Sequence, residues 1–267
     1  MNLKSILAGA ALALAAQGGW AIGFEGGIPS DWTCDGLCGT LGADGDVTLA
    51  PTGAQKYGYV VSGQSTPQNL SPFTFGSETT GSRLLSSSFV AAAGDELKFH
   101  FNYVTSDGSG YADYGWARLL NASDMSQAAL LFTARTKPTG SIVPGQDMPL
   151  PQATLNPVSV GIITNAAPGV GPTWSPLGTD STLCYEAGCG YTGWVQSNFT
   201  IAASGKYVLE FGVVNWSDNI YQSGMAFDGI TVAGEDVIPS VPETQSYAML
   251  LAGLGVLGMA LRRRRNA

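Results

Sequence analysis

Four cysteines stand as two close pairs, Cys34 with Cys38 and Cys184 with Cys189, with 145 residues between the pairs. Two chemistries use such an arrangement. Four thiolates can hold one zinc ion, although structural zinc knuckles usually space their cysteines by two residues, against three and four here. Oxidised, four cysteines allow three pairings. Local pairing is the expectation in an oxidising compartment, because each pair sits in its own Gly-rich turn, CDGLCG and CYEAGCG. Closing such short loops removes little chain entropy, so these bridges are expected to shape loops more than to hold a fold. His100 is the single histidine; it lies between Lys98 and Asn102 on what reads as the polar face of a strand, an ordinary exposed position. The chain has no Gly-x-Ser-x-Gly elbow, no His-Glu-x-x-His and no phosphate loop. Paired carboxylates of the glycosidase kind would have to be assembled by the fold, and no spacing nominates a pair. Asp44 with Asp46, and Asp107 with Asp113, form oxygen-rich loops suited to a hard cation or to capping turns. Aromatic residues are the remaining chemistry. Trp174, Tyr185 and Tyr191 lie around the second cysteine pair, where exposed rings would stack on sugars. Trp116 and Trp194 each open a strand and are expected to point into the core.

The elements that position these residues are bracketed by two unusual ends. Lys4 followed by the apolar run Ile6 to Ala16 reads as a secretory signal peptide over residues 1–21, with Gly19 and Ala21 offering small residues to a signal peptidase. Near the C-terminus, Tyr247 to Leu261 is a second apolar stretch, closed by Arg262, Arg263, Arg264 and Arg265. A helix over 247–261 makes a short membrane span, and the arginines hold its end in the cytoplasm. The whole chain of 267 residues carries 12 Lys and Arg against 20 Asp and Glu, a net charge of -8. Without Lys4, the four arginines and Glu243, seven basic and nineteen acidic residues remain, so residues 22–240 carry a net charge of -12. Such a body is repelled by nucleic acid and by anionic lipid, and divalent cations are its natural small partners.

Directly before the apolar stretch stands Val241-Pro242-Glu243-Thr244. A short Pro-Glu motif, a Gly-rich hydrophobic helix and a terminal arginine cluster, in that order over 241–267, resemble the PEP-CTERM sorting signal of Gram-negative bacteria. Thr244 stands where that family has a second proline. The resemblance implies processing by an exosortase, an integral membrane transpeptidase, acting on an inner-membrane-tethered precursor that then reaches the cell surface or the medium. It also implies an organism that makes exopolysaccharide, and hence a surface or biofilm-matrix role for the protein.

Between the ends, period-2 segments dominate: Arg83 to Val90, Glu96 to Thr105, Gly115 to Leu120, Ala129 to Ala134, Gly193 to Ile201, Tyr207 to Asn215 and Met225 to Val232. In the second, Leu97, Phe99, Phe101 and Tyr103 alternate with Lys98, His100 and Asn102, one face for a core and one for water. The expected fold is an all-β, antiparallel jelly-roll-like sandwich over 22–240. Eight of the fourteen prolines fall between Lys137 and Pro176, so 137–190 reads as a long loop excursion with one short strand near Val158 to Ile163. The start Gly23-Phe24-Glu25-Gly26-Gly27 and the late run Ala226-Phe227-Asp228-Gly229-Ile230 are similar to the first and last strands of jelly-roll carbohydrate-binding modules. That resemblance implies a structural calcium between Glu25 and Asp228, and a glycan as one ligand class for the body. The function expected from these readings is a non-enzymatic exported surface or matrix protein; a glycan-binding module and a secreted carbohydrate-active hydrolase are the alternatives.

Overall fold

The structure is a computed structural model; it describes residues 20–21, 23–63, 66, 70–137, 140–164, 169–238 and 241–242. The signal peptide expected over 1–21 falls outside them except for Trp20–Ala21, which pair antiparallel with Val241–Pro242. The span expected over 247–261 and the four arginines lie outside the described residues; among those described, no helix is long and apolar enough to cross a membrane. Residues 22–240 form a unit of their own.

Among the described residues fourteen strands build two antiparallel sheets in that unit, twelve of them labelled here: β1 (Thr33–Asp35), β2 (Leu37–Leu41), β3 (Tyr57–Val61), β4 (Glu78–Leu85), β5 (Phe89–Ala91), β6 (Glu96–Thr105), β7 (Tyr114–Asn121), β8 (Gln127–Arg135), β9 (Thr154–Asn156), β10 (Val195–Thr200), β11 (Gly205–Trp216) and β12 (Ser223–Val232); the two-residue Gly190–Tyr191 and Glu235–Asp236 add to β6 and β12. The first sheet runs β9-β10-β6-β12-β3-β2, and the second runs β1-β4-β11-β7-β8 with β5 added to β11. The expected all-β antiparallel sandwich is therefore the observed one, and the seven expected strands coincide with β4 to β8 and β10 to β12, the first of them broken at Ser86–Ser88.

Alternation sets the core. The inward residues Phe99 and Phe101 of β6 and Phe227 of β12 meet Phe132 of β8 and Phe211 of β11 from the other sheet. Phe101 stacks on Phe132 with centroids 3.8 Å apart, and Phe211 on Phe227 at 4.0 Å. Aromatic pairs of this kind add about 0.5–1.5 kcal/mol each beyond their buried area.

Both outer faces are partly dry as well, which corrects the simple division into a core face and a wet face. On the first sheet, Tyr57, Val61, Val104 and Ala226 are covered by Val47, Trp174 and Leu177. The proline-rich excursion thus wraps back over the sheet, with Trp174 at the start of its Ser175–Asp180 3-10 turn and Leu177 within it. Asp44 and Asp46 hold it there, accepting the backbone N–H groups of Ser175 at 2.6 Å and Thr173 at 2.7 Å. Within the excursion Ser141–Val143 pairs with Val160–Gly161, the short strand expected there. On the second sheet, Tyr114, Trp116 and Val214 are covered by Met148, Phe73 and Phe75. Trp116 is fully buried, but on this outer face and not between the sheets.

The chain changes sheet between β1 and β2, at Gly36. β1 pairs with β4 of the second sheet, whereas β2 pairs with β3 of the first. Gly36 has φ +102°, and a Cβ there would come within 2.4 Å of the Ser82 hydroxyl oxygen, so only glycine fits this crossing. The Ser82 hydroxyl accepts Leu37 N–H at 2.8 Å and donates to the Val61 carbonyl, stitching the sheets at the corner. Cys34 and Cys38 are disulfide-bonded across that corner, so the bridge spans both sheets. Replacing both by serine is expected to cost about 2 kcal/mol, the chain-entropy value for a five-residue loop. Urea denaturation of the double variant measures it; no loss of stability would show that the Ser82 contacts suffice.

Candidate functional site

The Gly23–Gly26 3-10 turn passes beside β12. Gly23 has φ +61°, and a Cβ on it would stand 2.9 Å from Asp228 Oδ1, so the backbone runs directly against that carboxylate. Asp228 is almost fully buried. Its Oδ2 accepts the Thr52 hydroxyl, and the Gly229 amide bonds the same carboxylate. Oδ1 has no partner. Glu25 accepts Gln55 N–H through Oε1 and is close enough for its charge to be felt at Asp228. Burial pushes the Asp228 carboxyl up, Thr52 and Gly229 pull it back in part, and Glu25 and Asp236 raise it further.

Two irregularities complete the corner. The β6–β12 register breaks between Asp228 and Thr231, where Gly229 has φ +64°. His100 lies opposite Asp228 in that ladder. Its Nδ1 is buried without a partner, and burial followed by the Lys98 charge lowers its pKa, which keeps the ring neutral. His100 is thus half-buried and not the exposed residue the alternation suggested. A buried carboxylate oxygen left open beside a second carboxylate and a tight backbone turn offers part of the oxygen set a hard cation takes, for which carbonyls and water would have to supply the remaining ligands. Glu25 and Asp228 would hold calcium here, with Gly23 leaving room for close backbone approach. Among the described residues no three His, Cys, Asp or Glu side chains form a metal-holding group on their own.

The other chemistry-bearing residues separate. Cys184 and Cys189 are disulfide-bonded, the second local pair. Trp174 is fully buried, its Nε1 donating to the Tyr57 hydroxyl at 2.9 Å and its ring edge-on to Tyr59. A ring with no exposed face cannot stack on a sugar, which corrects the expectation for Trp174. Tyr191 packs half-buried against the cluster under Trp174. Tyr185 is 48% exposed and meets Tyr111 edge-on at 5.4 Å and Tyr221 at 5.1 Å, a ring trio contributed by three separate loops. Asp107, whose charge is felt at Tyr185, is fully buried, and so is Asp113. Burial pushes the Asp107 carboxyl up to about 8 and that of Asp113 well above its usual range, and each feels the acids around it.

Compared with known proteins, residues 240–265 match the PEP-CTERM protein-sorting motif. A signal of this kind implies an exported protein that is membrane-anchored before an exosortase processes it. The chain is similar in structure to the K1 cleaved adhesin domain of Lys-gingipain from Porphyromonas gingivalis W83, at 11% identity and TM-score 0.35, covering 78% of this chain and 95% of that one. It is similar to the K3 adhesin domain of the same protein at 14% identity and TM-score 0.35, covering 80% and 99%. It is also similar to a family 11 carbohydrate-binding module from Clostridium thermocellum, at 12% identity and TM-score 0.20, covering 74% and 99%. No curated protein matches the chain. The sandwich itself rests on the strand register above.

Proposed function

We propose that this chain is a non-enzymatic component of the cell surface or extracellular matrix of a Gram-negative bacterium, associated with exopolysaccharide and delivered by exosortase processing. The observation that carries the reading is the sorting signal over 240–265. Three acids of the body fit a structural role, since their carboxylates are engaged in building loops and sheets. Asp44 and Asp46 anchor the excursion, and Glu210 is locked to Arg118. Calcium between Glu25 and Asp228 stiffens the corner where the mature chain begins. The partners in this reading are signal peptidase, the exosortase and the polysaccharide outside the cell.

Intact-mass analysis of the exported protein tests the reading. The expected mass lacks both residues 1–21 and the apolar segment 247–261, and Glu243→Ala is expected to leave the protein unprocessed in the membrane. A secreted product that retains 247–261 would defeat it. One observation favours glycan binding as a second reading: the exposed Tyr185 in its ring trio. Retention on a polysaccharide array that disappears in Tyr185→Ala would select it.

A further inference from the structure

The end of the sandwich farthest along β12 from Asp228 gathers three segments. The turn from β6 to β7 carries Asp107, the hairpin from β11 to β12 carries Asp218, and the Cys184–Cys189 loop carries Glu186. Ser223, where β12 begins, is five residues from Asp228, or ~17 Å at 3.4 Å per residue, so the two places are separate. The segments are bonded to one another. Tyr185 N–H donates to the Ser106 carbonyl and Ser109 N–H to the Ala187 carbonyl, both at 3.1 Å. Glu186 Oε1 accepts Gly110 N–H at 2.7 Å, and Asp180 Oδ2 accepts Gln222 N–H at 3.0 Å.

Asp107 lies underneath, with no exposed surface. Its Oδ1 accepts Gly108 N–H at 2.7 Å, while Oδ2 is buried without a partner. The charges felt there are those of Asp218, Glu186 and Asp180, with Asp113 beyond. Asp113 is itself satisfied, by Trp216 N–H at 2.8 Å and the Ser223 hydroxyl at 2.7 Å. Among the described residues none of these five carboxylates is ion-paired with Lys, Arg or His. Arg135, whose guanidinium donates to the Ala112 carbonyl at 3.2 Å, turns its charge over the rings of Phe75 and Trp216. A second open oxygen, Asn215 Oδ1, is also fully buried at the end of β11.

A buried anionic oxygen with no donor is costly unless a charge of opposite sign meets it. We propose that this end of the sandwich holds a second divalent cation, of calcium's chemistry, on Asp107 Oδ2, clasping the 106–113 turn, the 217–222 hairpin and the 184–189 loop together. Calcium suits the place because it accepts carbonyl, amide and water oxygens alongside a few carboxylates. Among the described residues no three acidic side chains converge there by themselves, so such neutral oxygens would have to supply most of the ligands. The proposal does not depend on the Glu25–Asp228 reading.

Isothermal titration of calcium into the chelator-stripped exported protein tests it. Asp107→Asn, an isosteric change, is expected to lower the calcium stoichiometry by one while leaving the equivalent that Asp228→Asn removes. Glu186→Gln keeps its bond to Gly110 and sits at the rim; it is expected to weaken one class of site by about tenfold to a hundredfold. Unchanged stoichiometry in Asp107→Asn, together with unchanged affinity in Glu186→Gln, overturns the proposal and leaves Asp107 as a buried, protonated acid. If only Asp228→Asn is without effect, the corner site fails and this one stands.

Discussion

Arg118→Met is expected to destabilise the sandwich by about 3–5 kcal/mol, the range for removing one partner of a buried ion pair. Glu210, in the middle of β11, is only 1% exposed. It lies directly opposite Arg118 in the β11–β7 ladder, and the guanidinium grips it through two bonds, at 2.9 Å from Nε and 2.8 Å from Nη2. Trp116 Nε1 donates to the same carboxylate at 2.7 Å. Gly212 makes that reach feasible: a Cβ there would come within 2.2 Å of the Trp116 ring, so only a glycine lets the indole lie across β11 toward Glu210. Without Arg118, the charge keeps only Trp116 and the more distant Arg83, 3.9 Å away and itself engaged with Asp35 at 2.7 Å. For a domain of this size the loss corresponds to a fall in melting temperature of roughly 6–20 °C. Arg118→Met with Glu210→Leu should recover part of it, since replacing both members of a buried pair by apolar groups is often neutral, while the Trp116 Nε1–H left without its acceptor keeps a cost of about 1–3 kcal/mol. Urea denaturation of the three proteins decides the matter, and a single-variant loss below about 1 kcal/mol would place this pair with ordinary surface bridges.

How far the sequence anticipates all this depends on what each segment could show. β6 was legible because Leu97, Phe99, Phe101 and Tyr103 alternate strictly, and all four are buried. Trp116 takes the layer opposite to the expected one because Gly115 to Leu120 carries apolar residues at both parities, Ala117 and Leu119 at one and Trp116 and Leu120 at the other. Ala117 and Leu119 take the inter-sheet core, and Trp116 is left to the outer face. β1, β2 and β3 give no period to read, since they are three to five residues long and meet at a sheet change that only the pairing reveals. The excursion looked like plain loop because prolines cannot join a ladder. Its Trp174 and Leu177, apolar residues set among prolines, are the sign that it packs onto something. The Glu25–Asp228 corner could be anticipated only through resemblance, and nothing pointed to its other members, Thr52 and His100. The Asp107 end was illegible for a simpler reason: its acids come from segments up to about a hundred residues apart, and only the fold brings them together.

Calcium at 100 times its Kd is expected to raise the stability of the exported protein by about 2.7 kcal/mol per site, by mass action on the folded state. Asp228→Asn and Glu25→Gln should each remove the share that belongs to the corner. The effect should also depend on pH, in a direction the buried acids determine. In the metal-free protein the carboxyls of Asp228, Asp107 and Asp113 are all raised by burial, so the folded chain holds protons that the unfolded chain releases near 3.8. Their contribution is therefore fully present below about pH 4 and is lost as the pH rises, for Asp107 through about 8. Calcium requires the ionised form, so its stabilisation grows over the same interval. In chelator, Asp228→Asn should lose less stability than the wild type between pH 4 and neutrality, because the amide carries no proton to release. Thermal melts from about pH 4 to 8, with calcium and with chelator, measure both slopes. A chelated wild type whose stability stays level over that interval would mean that these acids are already neutralised by contacts within the protein, leaving no charge for a cation to answer.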